Sequence, residues 1–242
     1  MESLEVVASH ADVIYDMTKE VVSNVRIPVI VKLSQNTTNI TKVAKAAKKA
    51  GASAVSAINT VRGILGVDLE TAQPALSTYG GISGPYILPM GLASVAAIAQ
   101  SVDIPICGIG GVDSAKHALE YIMLGASAVQ VGTAVMTQGH SAISTIVEEL
   151  ENWLDAHGLA SVEQVRGKAL ANMKSFDEMK IEPAVSTVQS VPCTENCDKC
   201  LTSCIYGAIS RSETSVNVDE QACTGCGLCT FICPAKKLKL AW

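Results

Sequence analysis

Short apolar runs alternate with amphipathic segments along the first 170 residues of the chain. PVIVKL, at 28–33, is typical of a buried strand, whereas ITKVAKAAKKAG, at 40–51, has the lysine pattern of a helix that stops at Gly51. Ser114 is the expected N-cap of a later helix. The same patterns predict strands at 52–59, 104–111 and 127–134 and helices at 92–102, 114–126 and 142–157.

Repeated strand–helix units predict a parallel sheet with crossover helices. The strands end in polar or glycine residues, which are Lys32, Asn59, Gly110–Gly111 and Gly132–Thr133. Doubly wound sheets and β/α barrels both bind ligands at this end of the strands. A barrel is favoured because no GxGxxG follows the first strand, and because paired glycine motifs on two late strands are the usual phosphate site of barrels.

The sequence changes character after residue 170. Residues 171–192 show no clear period and are predicted to be a linker, and a small second domain is predicted over 193–242. This domain has few apolar residues for a core, so bound metal is expected to supply much of its stability.

Eight of the nine cysteines lie between positions 193 and 233. In the second run, CTGCGLCTFICP, successive cysteines are separated by two, two and three other residues, and proline follows the last one. Two such runs are typical of a bacterial-type ferredoxin domain with two 4Fe-4S clusters, in which the fourth cysteine of each run crosses to the other cluster. We therefore predict a first cysteine set of Cys193, Cys197, Cys200 and Cys233, and a second cysteine set of Cys204, Cys223, Cys226 and Cys229.

Zinc sites and disulfides are the alternatives for these cysteines. Zinc more often uses two CxxC pairs with a longer spacer, and disulfides are rare in a reducing cytosol. The first run departs from the ferredoxin pattern, because an extra residue separates Cys193 from Cys197 and Ile205 replaces the usual proline. An altered or three-iron cluster therefore remains open for the first run. Gly225 and Gly227 are expected to let the loop of the second run wrap its cluster.

Composition narrows the function classes. The net charge is −5 with both signs interspersed, which is unlike the basic surface of a nucleic-acid-binding protein. We expect a cytoplasmic protein, because the N-terminal residues lack a signal-peptide pattern and no apolar run approaches the roughly 20 residues of a membrane span. Cys107 is expected to be a packing residue inside a strand, and no role is assigned to the histidines.

Five motifs occur in order along the chain, namely VKLSQNTTNI, AINT, STYGGISGPYILP, ICGIGGVDS and AVQVGTAVM. Together they resemble the C-terminal half of the dihydroorotate dehydrogenase-like flavin barrels. The dihydropyrimidine dehydrogenase branch of that family is the most similar, since a two-cluster ferredoxin domain follows its barrel. The resemblance implies the C-terminal half of a (β/α)8 TIM barrel over residues 1–170, with bound FMN.

The resemblance also implies roles for individual residues. Gly110, Gly111, Gly132 and Thr133 would bind the FMN phosphate through backbone amides, with help from the helix that follows. The cofactor-binding residues implied in addition are Lys32, near the flavin N1–C2 edge, and Gly84, beside the flavin chain. The implied substrate-binding pair is Asn59 and Thr60, and an amide side chain suits the cyclic amide of a pyrimidine.

The chain departs from the family in two respects. Gln35 replaces a proline of the usual KL-x-PN stretch, which is a mild change. More importantly, a complete barrel has eight units and about 250 residues, whereas four strand–helix units precede the cysteines here, and residues 1–27 resemble the helix before the fifth strand. The family's catalytic acid/base loop belongs to the first half, so no catalytic residue is assigned. A split enzyme with a partner chain, a truncated product and a self-pairing half-barrel are the three explanations.

The resemblance implies an iron–sulfur flavoprotein oxidoreductase component that acts on the C5–C6 bond of a pyrimidine ring. Hydride would pass through flavin N5, and the clusters would relay single electrons to or from a second flavin subunit or a soluble carrier. The alternative is a ferredoxin-type electron-transfer subunit whose half-barrel is only a docking domain. A third hypothesis is a non-functional fragment.

Overall fold

The computed structural model describes residues 10–174, 178, 184–189, 193 and 197–241. The chain divides into two compact units, Met1–Met173 and Lys174–Trp242. The helices of the larger unit are α1 (Ala11–Asn24), α2 (Ile40–Lys49), α3 (Leu88–Ser101), α4 (Ala115–Met123), α5 (Thr133–Gln138) and α6 (Ser141–Ala156). Its strands are β1 (Ile30–Leu33), β2 (Ala54–Ala57), β3 (Val61–Gly63), β4 (Val67–Asp68), β5 (Gln73–Pro74), β6 (Gly80–Ile82), β7 (Ile106–Ile109) and β8 (Ala128–Gln130).

A four-stranded sheet in the order β1-β2-β7-β8 forms the centre of the larger unit. All three strand pairs are parallel, and Lys32, Ser56 and Cys107 follow one another across the register. A helix lies between each pair of successive sheet strands along the chain, as the alternating pattern predicts. Within the described residues, β1 and β8 are edge strands of this sheet. An α/β fold with a parallel sheet is therefore confirmed.

Local sequence signals explain where the helices begin and end. The Asn39 side chain accepts a hydrogen bond of 3.1 Å from the backbone N–H of Lys42 and thereby caps α2. Gly51 follows the helix with φ of +99°, a conformation that glycine adopts without strain. Ser114 caps α4 as predicted, by accepting from the N–H of His117. The predicted strand at 127–134 is shorter, because the chain turns at Gly132 and enters α5 at Thr133.

The core of the larger unit lies between the sheet and its helices. Its fully buried side chains include Leu33 of β1, Val55 of β2, Val95 of α3 and Tyr121 of α4. Cys107, expected to be a packing residue, lies in β7 and is half-buried. Burial raises the pKa of the Cys107 thiol, so this cysteine is protonated at neutral pH.

The segment between β2 and α3, which the sequence pattern leaves as a long loop, contains two small antiparallel pairs. Strand β3 pairs with β6, and β4 pairs with β5. These strands are only two or three residues long, too short to show the apolar alternation that predicts a strand. The segment returns the chain to Gly84 and to the start of α3.

The smaller unit contains two copies of a strand–helix–strand arrangement. The first copy is β9 (Val185–Val188), α7 (Lys199–Ser203) and β10 (Ile209–Arg211). The second copy is β11 (Val216–Val218), α8 (Leu228–Ile232) and β12 (Leu238–Ala241). The pairs β9–β12 and β10–β11 are both antiparallel, so each copy contributes one strand to each pair.

The predicted linker, 171–192, is wrong at its C-terminal end, because Val185–Val188 is a strand of the smaller unit. Its four residues show too little alternation for a strand to be predicted from sequence, and the strand forms because it pairs with β12. Residues 175–177, 179–183 and 190–192 of this segment lie outside the described residues. The core here is small, with Cys200, Ile209, Val216 and Leu238 buried together.

None of the helices within the described ranges is both long and apolar enough to cross a membrane.

Candidate active site and cluster-binding unit

An open cavity of about 360 Å³ lies where the strands of the parallel sheet end. This is the edge at which parallel α/β sheets bind ligands. All six residues predicted to bind the cofactor line the cavity, which brings together residues from four separate segments of the chain. They are Lys32, Gly84, Gly110, Gly111, Gly132 and Thr133.

Backbone packing around Gly111 gives one wall of the cavity its shape. Gly111 has φ of +76°, and a Cβ built on it would lie 2.7 Å from the Leu88 Cβ and 3.0 Å from the Gly84 carbonyl oxygen. Gly84 itself has φ of +81°, and a Cβ there would lie 3.3 Å from the Thr133 Cγ2. The close approach of these backbones therefore requires glycine at both positions.

The residues of the second glycine motif lie beside Ser83. The Thr133 hydroxyl donates a hydrogen bond of 2.9 Å to the Ser83 Oγ. At Gly132 a Cβ would meet no atom within 4 Å, so the backbone there is open to a ligand. The helix that follows is only six residues long, so its dipole adds less than the sequence prediction assumed. The amides themselves are the groups that fit a phosphate.

Tyr121 supports the Gly110–Gly111 turn from beneath. Its side chain is fully buried, and its hydroxyl donates a hydrogen bond of 2.8 Å to the Gly110 carbonyl oxygen. Burial raises the pKa of this phenol well above its usual range. The ring occupies space that only glycine leaves free, because a Cβ on Gly91 or Gly108 would collide with it. Sequence reasoning missed Tyr121, since an interior helical tyrosine carries no motif.

Lys32 lies within β1, next to the buried Leu33, and its side chain is exposed towards the cavity. It is thus not the last residue of its strand, as the sequence prediction had it, but it lines the same cavity as the other predicted cofactor residues. Gln130, at the end of β8, also lines the cavity, and the Ser56 hydroxyl donates to its Oε1 at 3.5 Å. Sequence reasoning did not select Gln130, because a single glutamine at a strand end is not a distinctive signal.

The predicted substrate pair follows β2. Thr60 lines the cavity, whereas Asn59 is not among its lining residues. The Asn59 backbone N–H donates a hydrogen bond of 2.8 Å to the Leu33 carbonyl oxygen, which connects the end of β2 to β1. Asn36 fixes the same region, since its Nδ2 donates to the Thr60 carbonyl at 3.3 Å and its Oδ1 accepts from the Arg62 N–H at 3.2 Å. Asn36 belongs to the quoted VKLSQNTTNI motif, and its bridging role was missed.

The first cysteine set comes together in the smaller unit. Burial raises the pKa of the Cys200 thiol, and the nearby sulfurs of Cys193, Cys233 and Cys197 raise it further. An electrostatic effect of this kind comes from nearby charges, which places the four sulfurs in one region of the smaller unit. The grouping includes Cys233 from the second run, as the crossed arrangement of a two-cluster domain requires.

The second cysteine set surrounds a small cavity. All four members line it, including Cys204 from the first run; they are Cys204, Cys223, Cys226 and Cys229. Among the described residues, no three Cys, His, Asp or Glu side chains converge on one point as ligands of a single metal ion do. A four-iron cluster places each cysteine on a different iron, so ligands spread around a cavity suit it.

Backbone amides point at the cysteine sulfurs. The Lys237 N–H lies 3.3 Å from the Cys233 Sγ, and the Ser186 N–H lies 3.5 Å from the Cys223 Sγ. Gly225 has φ of +68°, and a Cβ there would lie 2.2 Å from the Ala184 carbonyl oxygen, so the loop of the second run can pass β9 only with glycine. Thiolate ligands that accept amide hydrogen bonds are typical of iron–sulfur sites. The residues present thus fit clusters.

Comparison with known proteins agrees with both units. The family model described as dihydroorotate dehydrogenase matches residues 2–154, and the model described as a 4Fe-4S binding domain matches residues 215–238. The chain therefore belongs to the dihydroorotate dehydrogenase family. The match to the 4Fe-4S model includes the second cysteine run and leaves the first run outside it.

Similar curated proteins are catalytic subunits of dihydroorotate dehydrogenase B (NAD(+)). The relative from Streptococcus pneumoniae serotype 4 is 41% identical over 164 residues, which cover 67% of this chain and 52% of the relative. The relative from Pelobacter propionicus is 46% identical over 141 residues, covering 58% and 46%, and that from Pyrococcus furiosus is 44% identical over 157 residues, covering 64% and 52%. The chain thus spans about half the length of the curated relatives it matches. These relatives are dihydroorotate dehydrogenases, so they support the family and do not point specifically to its dihydropyrimidine dehydrogenase branch.

Proposed function

We propose that this chain is the FMN- and cluster-binding part of an oxidoreductase that acts on the C5–C6 bond of a pyrimidine-type ring. The observation that carries the proposal is the cavity at the strand ends, which is lined by all six predicted cofactor residues. Their chemistry is that of a nucleotide phosphate site, with open backbone amides on two glycine motifs and one lysine.

We interpret the parallel sheet as the second half of a (β/α)8 barrel. Its strands follow in chain order, and two of them are edges within the described residues. Exposed edges and apolar interior positions favour completion by further strands. Four more strand–helix units, from the same polypeptide or a second chain, would close the barrel and bring the catalytic acid/base loop. We assign no catalytic residue to the described part.

The residues of this chain would bind and orient FMN. Gly110, Gly111, Gly132 and Thr133 would hold the phosphate, Gly84 would leave room for the ribityl chain, and Lys32 would place a positive charge beside the ring. Bound FMN would supply two-electron chemistry towards substrate and one-electron chemistry towards clusters. Removing the lysine charge is expected to weaken FMN binding.

Dihydroorotate is the first substrate to test, because the curated relatives are named for it. Dihydrouracil is the second, because the appended ferredoxin-like unit motivated the comparison with dihydropyrimidine dehydrogenase. Thr60 at the cavity and Asn59 beside it are the proposed contacts to the pyrimidine amides. In the oxidative direction the ring would lose a hydride from C6 and a proton from C5, which leaves a C5–C6 double bond.

The two cysteine sets are proposed to hold two 4Fe-4S clusters. Their crossed grouping supports this number, because each set contains a cysteine from the other run. The clusters would pass electrons singly to or from a second flavin subunit or a soluble carrier. Reduced thiolate ligands suit a cytoplasmic setting, which we propose for the protein.

The test combines this chain with the part of the Pelobacter propionicus relative that it does not cover, so that the two polypeptides together can form a complete barrel. The anaerobically purified assembly is expected to bind FMN in its cavity, and Lys32→Met should weaken the FMN Kd about tenfold, as expected for loss of one close charge. Lys45→Met, which removes an exposed lysine on α2, is the matched control and should leave the Kd unchanged. Cluster absorbance without any FMN would reject the proposal and favour the electron-transfer subunit.

A further inference from the structure

Ser186 contacts the second cysteine set although it lies outside both cysteine runs. It is in β9 and only 2% of its surface is exposed. Its backbone N–H lies 3.5 Å from the Cys223 Sγ, and its Oγ lies 3.2 Å from the Cys229 Sγ. It also lines the cavity that these cysteines surround. One buried residue therefore presents two polar groups to two sulfurs of the same set.

The direction of the side-chain hydrogen bond depends on whether the sulfur carries a proton. A protonated cysteine can donate its S–H to the serine oxygen. A cysteine bound to iron is a thiolate without a hydrogen, so the serine O–H must be the donor. The short distance and the buried position then make this a hydrogen bond to a charged acceptor, which is stronger than one between neutral groups.

We infer that Ser186 raises the reduction potential of the cluster held by the second cysteine set. The inference rests on the proposed cluster binding. Reduction adds one negative charge to the cluster and its sulfurs, and a hydroxyl that donates to a ligand sulfur stabilises the more negative state. The buried position strengthens the effect, because little water competes for the same sulfur. Ser186 thus positions a dipole at the cluster and is not itself a ligand.

The test is a potentiometric titration of the reconstituted full chain, followed by EPR. Ser186→Ala should lower the midpoint potential of one cluster, so that the reduced-to-oxidised ratio at the wild-type midpoint falls about tenfold. A tenfold change corresponds to 59 mV for a one-electron couple. The cluster of the first cysteine set is an internal reference and should keep its potential, because the two Ser186 contacts to sulfur are with Cys223 and Cys229 of the second set.

Thr187→Val is the matched control on the same strand. The Thr187 hydroxyl donates to the Lys239 carbonyl at 3.3 Å, so this change also removes a hydrogen-bonding hydroxyl from β9 but not one at a cysteine. Both potentials should equal the wild-type values in this control. Ser186→Thr, which keeps a hydroxyl, should restore much of the potential lost in Ser186→Ala.

Three outcomes separate the inference from the proposed function. Full iron content with unchanged potentials in Ser186→Ala would overturn the inference and leave the clusters in place. A wild-type chain that binds no iron–sulfur cluster would overturn the proposed function instead. If Ser186→Ala fails to retain iron, resonance Raman spectroscopy of the wild-type chain tests the same hydrogen bond. Transfer to D2O should shift the Fe–S(Cys) bands, and bands that stay at the same frequency would contradict the inference.

Discussion

The buried hydroxyl of Tyr121 provides a quantitative test of how the proposed phosphate site is built. Tyr121→Phe removes the hydrogen bond of 2.8 Å to the Gly110 carbonyl oxygen and leaves that buried carbonyl without this donor. A buried group that loses its partner costs about 1–3 kcal/mol. The ring is retained, so packing against Gly108 should be preserved.

The expected result is a fall of about 1–3 kcal/mol in the free energy of unfolding. With a urea m-value of about 2 kcal/mol/M, the midpoint would fall by roughly 0.5–1.5 M. Circular dichroism at a helix-sensitive wavelength is a suitable probe, because the long helices all lie in the unit that contains Tyr121. In the completed barrel, the FMN Kd should also rise, because Gly110 is less firmly held.

Tyr86→Phe is the control for the same chemical change. Its side chain is 83% exposed, so loss of its hydroxyl should move the free energy of unfolding by less than about 0.5 kcal/mol. The reasoning would be refuted if Tyr121→Phe matched the wild-type midpoint, or if both variants lost the same stability. Either result would mean that the phenol does not support the turn.

The remaining predictions concern pH, the glycines and the cysteines. The pKa of the Tyr121 phenol is higher in the folded state than in the unfolded state, so its contribution to stability is complete below about pH 10 and is lost as the pH rises further. Urea midpoints measured from pH 8 to 11 should therefore fall more steeply in the wild type than in Tyr121→Phe. Gly111→Ala should unfold at clearly lower urea than Gly132→Ala, because only the first Cβ meets backbone atoms; equal midpoints would contradict the predicted clash. Cys226→Ser should abolish the EPR signal of one cluster, whereas Cys107→Ser, in β7, should retain the iron content of the wild type.

Sequence patterns predicted the parallel sheet well, because its strands are short, largely apolar runs that alternate with amphipathic helices. The runs at 28–33, 52–59 and 104–111 each contain one observed strand, and the predicted cap at Ser114 is a local signal that the sequence itself provides. Glycine motifs at strand ends predicted the cavity for a similar reason. Their role depends on backbone conformation, which glycine marks in the sequence.

Contacts between distant segments were not predictable in the same way. Ser186 lies 37 and 43 residues from the cysteines that it contacts, and β9 becomes a strand through pairing with β12. Tyr121 reaches the Gly110 carbonyl from the following helix, and no periodicity distinguishes it from other apolar helix positions. Such residues are specified by tertiary packing and not by a local motif.

The central claim is that electrons pass between a pyrimidine ring and the clusters through FMN bound at the strand ends. The most direct measurement adds dihydroorotate, or dihydrouracil in a parallel sample, to the completed, FMN-loaded assembly under anaerobic conditions and records the EPR spectrum. The account predicts that one of the two substrates generates the signal of reduced clusters, and that Gly111→Ala, which disturbs the proposed FMN site, loses it. The account would be contradicted if FMN is bound and dithionite reduces the clusters, but neither substrate does.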